Sequence, residues 1–573
     1  MSVGGMSSNQ QQHGASTVDH AARSVPTWIP VADRHLAVQV HLPACEVRGA
    51  VVLVPSAGRE VTVSFRSLRA LAVSLTRQGL VVCRPDLSGV GDSAAVRTEE
   101  DLARQWVTDL EGVARWLRDL VPGVPLSVVG LRLGASVAAQ TPDVWDGAKI
   151  AWAPVKGSTW LRAEMVMRRV GGHLPPADAD RVEVLGWDVS HAQAASLRAL
   201  ALPDEDAGWC SVEPTSTDAP FWAGEPHFAQ TPRSQIQQIC DLVEPHVQHP
   251  ALPSPVWTPL STCRRPDGTG DEVQEEWVEV GPDRLPGVWT VPVGRAVRET
   301  AVVTAGGAES KTGPGGLWAR AAVELAPLGV ATLRCERRGA GELSDPGEPA
   351  EPNPYRSDAA TDVAQAIRWA RERQPGSRVT GTGLCIAGWM FAMASALEDL
   401  DRVIAFNNAA WQPGLGFYQR LERKAQLTAR VNGKKGSTTE APGAGAGKPW
   451  WGSVKRIVKS VTVPMGRRLP LVAWRSLSRA QLVQFPADLW RRASPATEFH
   501  LHFGDEDAGY FLAARGRQSL HRLAVRGILV RATRWPALDH SLLALASRRT
   551  ALSVLRQELG AQRCADDSAA RAL

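Results

Sequence analysis

Apolar residues in this chain alternate between two patterns. Short, nearly unbroken β-branched runs read as buried strands, and longer stretches with an apolar residue every three or four positions read as amphipathic helices. In the first half, RGAVVLVPSAG (48–58) runs as a strand into a Gly-containing loop, and GLVVCRPDLSGVGDS from Gly79 is a second strand followed by a polar loop with two glycines. A helix carrying Trp106, Leu110, Val113 and Leu117 on one face comes next, and PLSVVGLRLGAS (125–136) closes the series as a strand, a tight Gly-bounded turn and an apolar helix.

The same order recurs at an offset of about 250 residues. TAVVTAGGA (300–308) matches the first strand, and GVATLRCERRGAGELS from Gly329 matches the second. Val363, Ile367 and Trp369 mark the helix, and RVTGTGLCIAGW (378–389) matches the last strand and turn. Asp86, Gly89 and Gly91 thereby face Glu336, Gly339 and Gly341. Strand, helix, strand, helix, strand, sharp turn, helix is the order of a mostly parallel sheet covered by helices on both faces, so the expected class is α/β with two tandem domains.

Boundaries follow from composition. Residues 23–248 form the first domain, and the proline-rich stretch 249–270 is the expected linker. Residues 271–562 form the second domain, with a cap region at 411–496 interrupted by a flexible excursion at 432–449. The tails 1–22 and 563–573 read as disordered.

A chain of 573 residues, 44% hydrophobic, can fill two cores. Its 64 basic and 59 acidic residues nearly balance, so nothing demands a nucleic-acid partner. The opening segment lacks the apolar run of a secretion signal and no later run would span a bilayer, which makes a cytoplasmic protein the expectation. The eight cysteines are scattered without CxxC pairs or histidines at zinc-site spacing, so neither disulfides, a metal nor any other cofactor is indicated. The 21 tryptophans add large apolar contact surfaces to this picture.

The chemistry centres on the sharp turns. A nucleophile in G-x-S-x-G sits on a strained strand-to-helix elbow that needs small flanking residues, and both copies keep that frame while changing its centre. In Gly130-Leu131-Arg132-Leu133-Gly134 the centre is arginine, which cannot be an acyl nucleophile. Arg132 is then a candidate for binding an anionic substrate, or else an arginine paired with an acidic neighbour to hold the domains together. In Gly383-Leu384-Cys385-Ile386-Ala387-Gly388 the centre is a thiol, able to attack an ester, thioester or amide carbonyl when an imidazole stands beside it. Against this stands the plainer reading of Cys385 as a small buried apolar residue.

An acid and then a histidine should follow the elbow in chain order. EFHLHFGDEDAG (498–509) reads as a strand and an acidic turn, in which Asp505 is the first carboxylate and Asp507 the reserve. His540, after a further strand, is the natural base, its alternative role being a histidine at a helix start. The oxyanion hole would use the amides of Ile386 and of Gly307 in the 306–308 loop. The first copy offers no comparable pair, since PDEDAG near Asp204 and His227 have no convincing strand between them.

With these residues in place, both halves resemble the serine-aminopeptidase-like α/β hydrolases associated with exosortase and exopolysaccharide loci. The resemblance is carried in the second half by AGGAESKTGPGGLWARAAVELAPLGVATLR, GLCIAG, GDEDAG and DHSLL, and in the first by GLRLGAS, WAPVKGSTWLR and APFWAGEP. It covers most of the chain outside the tails, the linker and 432–449. The second copy departs from the family in ERRGAGELS and in Ile-Ala-Gly after the cysteine. The resemblance implies two α/β-hydrolase-type domains and a role in polysaccharide or specialised-metabolite assembly. The expected activity is acyl transfer through a thioester on Cys385, as thioesterase, acyltransferase or esterase, with an acyl substrate that is free or carrier-bound. The cap region, with its Trp, Val, Leu, Lys and Arg, is expected to pack on its own domain and there to line an acyl pocket, touch an anionic carrier or make peripheral membrane contact, and the competing class is a non-catalytic scaffold.

Overall fold

The computed structural model describes residues 23–44, 46–96, 101–170, 181–184, 186–214, 221–222, 229–248, 250–266, 272–307, 309–344, 355, 357–408, 411, 469–480, 483–560 and 571–572. Residues 1–22 and 432–449, and most of the cap region, lie outside them, so the expectations placed there are not addressed.

The first half builds a seven-stranded sheet from β1 (Arg23–Val31), β2 (Arg34–Leu42), β3 (Gly49–Val54), β4 (Leu80–Pro85), β5 (Leu126–Leu131), β6 (Lys149–Trp152) and, after a separate hairpin of β7 (Arg181–Val184) and β8 (Trp187–Ser190), β9 (Trp209–Val212). Its order is β1-β2-β4-β3-β5-β6-β9, antiparallel up to β4 and parallel from β4 through β9. The second half contains β10 (Thr262–Pro266), β11 (Glu272–Val280), β12 (Leu285–Pro292), β13 (Glu299–Thr304), β14 (Val330–Cys335), β15 (Arg378–Leu384), β16 (Arg402–Phe406), β17 (Glu498–Phe503), β18 (Val530–Arg534) and β19 (Arg571–Ala572). Their order, β10-β11-β12-β14-β13-β15-β16-β17-β18-β19, repeats the first sheet strand for strand, with β10 added at one edge and β18 and β19 at the other.

Both faces of each sheet are covered, and single strands show it. Ala50, Val52 and Val54 of β3 pack into one core beneath the helix Leu102–Leu120, while Val51 and Leu53 point into another beneath the helices Arg59–Arg77 and Arg233–Val243. Likewise Val302 of β13 joins the core under Ser357–Arg373, and Ala301 and Val303 join that under Leu317–Leu325 and Leu545–Leu559. This is why the central strands read as continuous apolar runs and not as alternating ones.

Two sequence expectations need correction. The stretch assigned to the linker is fastened at several points of its described part. Leu252 bridges to Val47, Leu260 accepts from the Trp28 amide at 3.0 Å, and Thr262–Pro266 is already strand β10 of the second sheet. Proline blocks regular pairing but leaves carbonyls free to accept, so an extended segment can be fastened to a sheet edge without joining it. Arg571–Ala572, placed in a disordered tail, instead pair with β18.

The halves meet through equivalent surfaces. Trp28 and Trp277, each three residues before the end of its strand, stack on one another with ring centroids 5.1 Å apart. Around them buried charges cross reciprocally. Arg84, next to last in β4, pairs with Glu342 of the second half, and Arg334, next to last in β14, pairs with Asp92 of the first. The loops holding these carboxylates also match, since the Asp92 amide donates to Asp86 at 3.0 Å and the Glu342 amide donates to Glu336 at 2.6 Å. Lys311 adds a contact with Asp92 at 3.3 Å, and Glu275 receives Arg334 at 2.8 Å. The arrangement is that of a two-fold homodimer written into one chain. Although burial works against the Asp92 carboxylate, Arg334 and Lys311 hold it down at about 2. Burial and the charge on Asp92 push Asp86 up to about 6.

Candidate active site

Strand β15 lies mid-sheet between β13 and β16, and its last residue delivers the chain into a turn at Cys385. Cys385 adopts φ 56°, a left-handed conformation that a non-glycine residue rarely takes, and Arg132 adopts φ 54° at the equivalent point of the first sheet. The turn is locked on both sides, the Cys385 amide donating to the Phe406 carbonyl at 2.8 Å and its carbonyl accepting from Asn408 Nδ2 at 2.9 Å. It also requires small neighbours, because a Cβ on Gly383 would lie 2.4 Å from that of Ala387. The cysteine is partly exposed and is not sealed in packing.

His540 stands in the loop between β18 and the helix Leu545–Leu559, its ring close enough to Cys385 for the two side chains to interact electrostatically. Nδ1 faces Asp507 Oδ1 at 2.9 Å and Oδ2 at 3.0 Å. A carboxylate can only accept, so Nδ1 carries the proton and Nε2 is left for the sulfur. Burial works against the imidazolium, but the Asp507 carboxylate outweighs it, with a smaller contribution from Cys385, and the ring is raised well above its ordinary value.

Asp505 does not take the position expected of it. It is half-exposed and accepts from Arg534 Nε at 2.7 Å, whereas Asp507 is buried against His540. The acidic segment is the first turn of a helix, Asp505–Ala513, and no loose turn. At about 100° per residue, positions two apart point to opposite sides of a helix, so the nearest carboxylate after the strand faces out and the next one faces in.

Asn407, which no motif singled out, ties these parts together. Fully buried at the end of β16 with φ 49°, it donates to the carbonyls of Asp539 at 2.8 Å and His540 at 3.2 Å, and accepts from the Gly504 amide at 2.8 Å. One side chain thus joins the histidine loop to the turn preceding Asp507. Asp539 stiffens the loop further by accepting from the amides of Ser541, Leu543 and Ala544.

Ile386 follows Cys385 at the N-terminus of the helix Ala387–Ala394. Across from it, buried Arg337 donates to the carbonyls of Gly306 at 3.4 Å and Gly307 at 2.6 Å. In a trans peptide the N–H opposes the carbonyl of the preceding residue, so the Gly307 amide points away from Arg337.

The first copy arranges its elbow otherwise. Arg132 donates to Glu60 at 3.1 and 3.2 Å and to the Ala153 carbonyl at 3.3 Å, and its guanidinium lies 4.5 Å over the Trp222 ring. The pairing is therefore made within its own domain and not across the interface, and the donors expected to face a substrate are engaged. Glu164 nearby is pushed up to about 7, by burial first and by the Glu60 charge second. A strand, β9, does lie between Asp204 and His227, contrary to the expectation from sequence, but Asp204 precedes it, and among the described residues the first sheet stops one strand short of the position from which His540 is presented. His227 lies outside the described residues. A cleft of about 760 Å³ does open between the halves, walled by Phe65, Arg84, Trp187, Lys311 and Arg548, but Arg132, Cys385 and His540 are not among its described walls.

Among the described residues no helix is long and apolar enough to cross a membrane. No family model and no curated protein matches the chain. Solved structures similar to parts of it include a lidless α/β serine hydrolase of Xanthomonas campestris, at 24% identity over 24% of this chain and 63% of that one, with a TM-score of 0.21. This chain thus spans less than two thirds of that protein. Others are dienelactone hydrolase of Anabaena variabilis (11% identity, 52% of this chain, 96% of that one, TM-score 0.30) and Est1E of Butyrivibrio proteoclasticus with ferulic acid bound (13%, 38%, 99%, 0.27). These superpositions are loose, and it is strand order and elbow geometry that make the fold of both halves α/β-hydrolase-type.

Proposed function

We propose that this chain is an acyl-transfer enzyme working through a thioester on Cys385, with His540 as base and acid, Asp507 orienting the imidazole, and the first copy catalytically silent. The observation that carries the reading is the convergence of a partly exposed sulfur at a left-handed elbow with an imidazole whose far nitrogen is held by a buried carboxylate.

In this scheme the Sγ proton moves to Nε2 of His540, and the resulting thiolate, paired with the imidazolium, attacks the carbonyl carbon. The amides of Ile386 and Gly307 receive the developing oxyanion. The intermediate collapses to a thioester as the leaving group takes the proton from His540. An acceptor hydroxyl, amine, thiol or water, deprotonated by the same nitrogen, then releases the acyl group and restores the thiol. The raised His540 supports this order of events, because an imidazolium beside the sulfur is the counter-ion an attacking thiolate needs.

Substrates are acyl esters or thioesters, free or carrier-bound. The motif resemblance to exosortase- and exopolysaccharide-associated hydrolases supports a place in polysaccharide or specialised-metabolite assembly in the cytoplasm. Arg132, clamped by Glu60 and Trp222, fits a structural plug of the first elbow better than a substrate contact.

The test is covalent. Iodoacetamide at limiting concentration should modify Cys385 ahead of the exposed Cys210, and His540→Ala should abolish that preference. Equal modification of both cysteines in the unaltered chain would refute an activated thiol and leave the scaffold reading, in which Cys385→Ala retains the biological role.

A further inference from the structure

We infer that the silent first copy serves the second as a positioning subunit: its β7–β8 hairpin clasps the segment after His540 and so holds the imidazole over Cys385. The inference rests on the Cys385–His540 reading above and adds a role for the half of the chain that lacks a nucleophile.

The hairpin emerges between the helices Gly157–Val170 and His191–Ala199, where the second copy carries its cap region, and it joins neither main sheet. A lone two-stranded ribbon is marginal in water and must be buried against something. On one side Val184 and Val189 sink into the core of the first half. On the other the ribbon presents polar groups to the second half. Glu183, itself 5% exposed, accepts from the Leu545 amide at 2.6 Å. The Gly186 amide donates to the Leu543 carbonyl at 3.3 Å, and Asp188, already paired with Arg181 at 2.7 Å, receives Arg548 at 3.2 Å.

These contacts fall where the second half needs them. Leu545 opens the helix Leu545–Leu559, and the residue before it, Ala544, has no side chain able to cap the first turn. Helix N-termini leave amides without partners and favour negative charge. Glu183 supplies both the acceptor and the charge from the other copy. Between His540 and that helix start the chain passes through Leu542 at φ 52°, a strained conformation that persists only where surrounding contacts hold it. Asn407 grips the loop at Asp539 and His540, and the hairpin grips it at residues 543, 545 and 548. Without the second grip the loop keeps only contacts made within the second half, from Asn407 and the Asp539 carboxylate.

The experiment follows iodoacetamide modification of Cys385 against pH in the full chain, with sites identified by mass spectrometry. Glu183→Ala should slow modification by about tenfold, the scale of loss expected when a catalytic group is slightly displaced, and should shift the pH profile toward that of His540→Ala. Glu183→Gln, which still offers an oxygen to the Leu545 amide, should recover most of the rate, a rescue that a general loss of stability would not show. Should Glu183→Ala fail to fold, Asp188→Ala at the hairpin edge is read instead, with the same direction and a smaller effect. Wild-type rate and profile in a folded hairpin variant, alongside a wild-type chain whose Cys385 preference His540→Ala removes, would overturn the clasp and leave the Cys–His reading standing. Absence of that preference in the wild-type chain would instead sink the reading on which the clasp rests.

Discussion

At the scale of single residues, the two carboxylates of GDEDAG should behave oppositely. Asp507→Asn removes the charge that keeps the imidazole protonated and oriented, and should slow iodoacetamide modification of Cys385 by roughly ten- to a hundredfold. Asp505→Asn loses a half-exposed pair with Arg534 and should leave the rate within about twofold. The His540–Asp507 pair also has a pH signature. His540 is raised in the folded chain above its unfolded value of about 6.5. Its contribution to stability is therefore complete below about pH 6.5 and fades as pH climbs through the raised folded value. Urea titrations across this range should show that His540→Gln flattens the alkaline loss of stability. The identities of Cys385 and His540 as candidates were legible because both sit in recognisable local motifs. The choice between Asp505 and Asp507 was not, because it turns on whether three residues form a turn or the start of a helix. Asn407 was invisible for another reason: its three partners lie about a hundred residues or more away in sequence, and nothing in its neighbourhood announces them.

At the scale of elements, the histidine loop and the acid-bearing helix are coupled through the end of β16. Asn407→Ala strands the buried Gly504 amide and releases two carbonyls, so a loss of about 2–4 kcal/mol is expected from denaturant unfolding, with slower Cys385 modification in the same variant. Gly504 is equally constrained, since a Cβ there would lie 2.1 Å from the Leu538 carbonyl. The strands were the readable part of the chain, because sheets covered on both faces impose apolar, β-branched stretches such as those of β3 and β5. Connections were harder. Proline and glycine between 249 and 270 marked a break in regular structure, but they did not tell that Leu252 and Leu260 would fasten to the first sheet or that Thr262–Pro266 would begin the second.

At the scale of the whole molecule, the interface between halves is built from charges whose partners lie across it. Arg334 is completely buried between Asp92 and Glu275, so Arg334→Met removes the cation the two carboxylates share, leaving Asp92 to Lys311 and Glu275 to Arg265, and should cost about 2–3 kcal/mol. Thermal unfolding monitored by tryptophan fluorescence should keep one transition at a lower midpoint, because the stacked Trp28 and Trp277 report on both halves together. The internal repeat could be seen in the sequence. Its two-fold pairing could not, since Arg84 and Glu342 become neighbours only after both sheets have formed. The reciprocity binds the histories of four positions. A cation at 92 would face both Arg334 and Lys311, and an anion at 84 would face Glu342, so each sign is fixed from the other half. Substitution in either half is thereby limited by the other, and the two copies are tied together by charge whatever chemistry each performs.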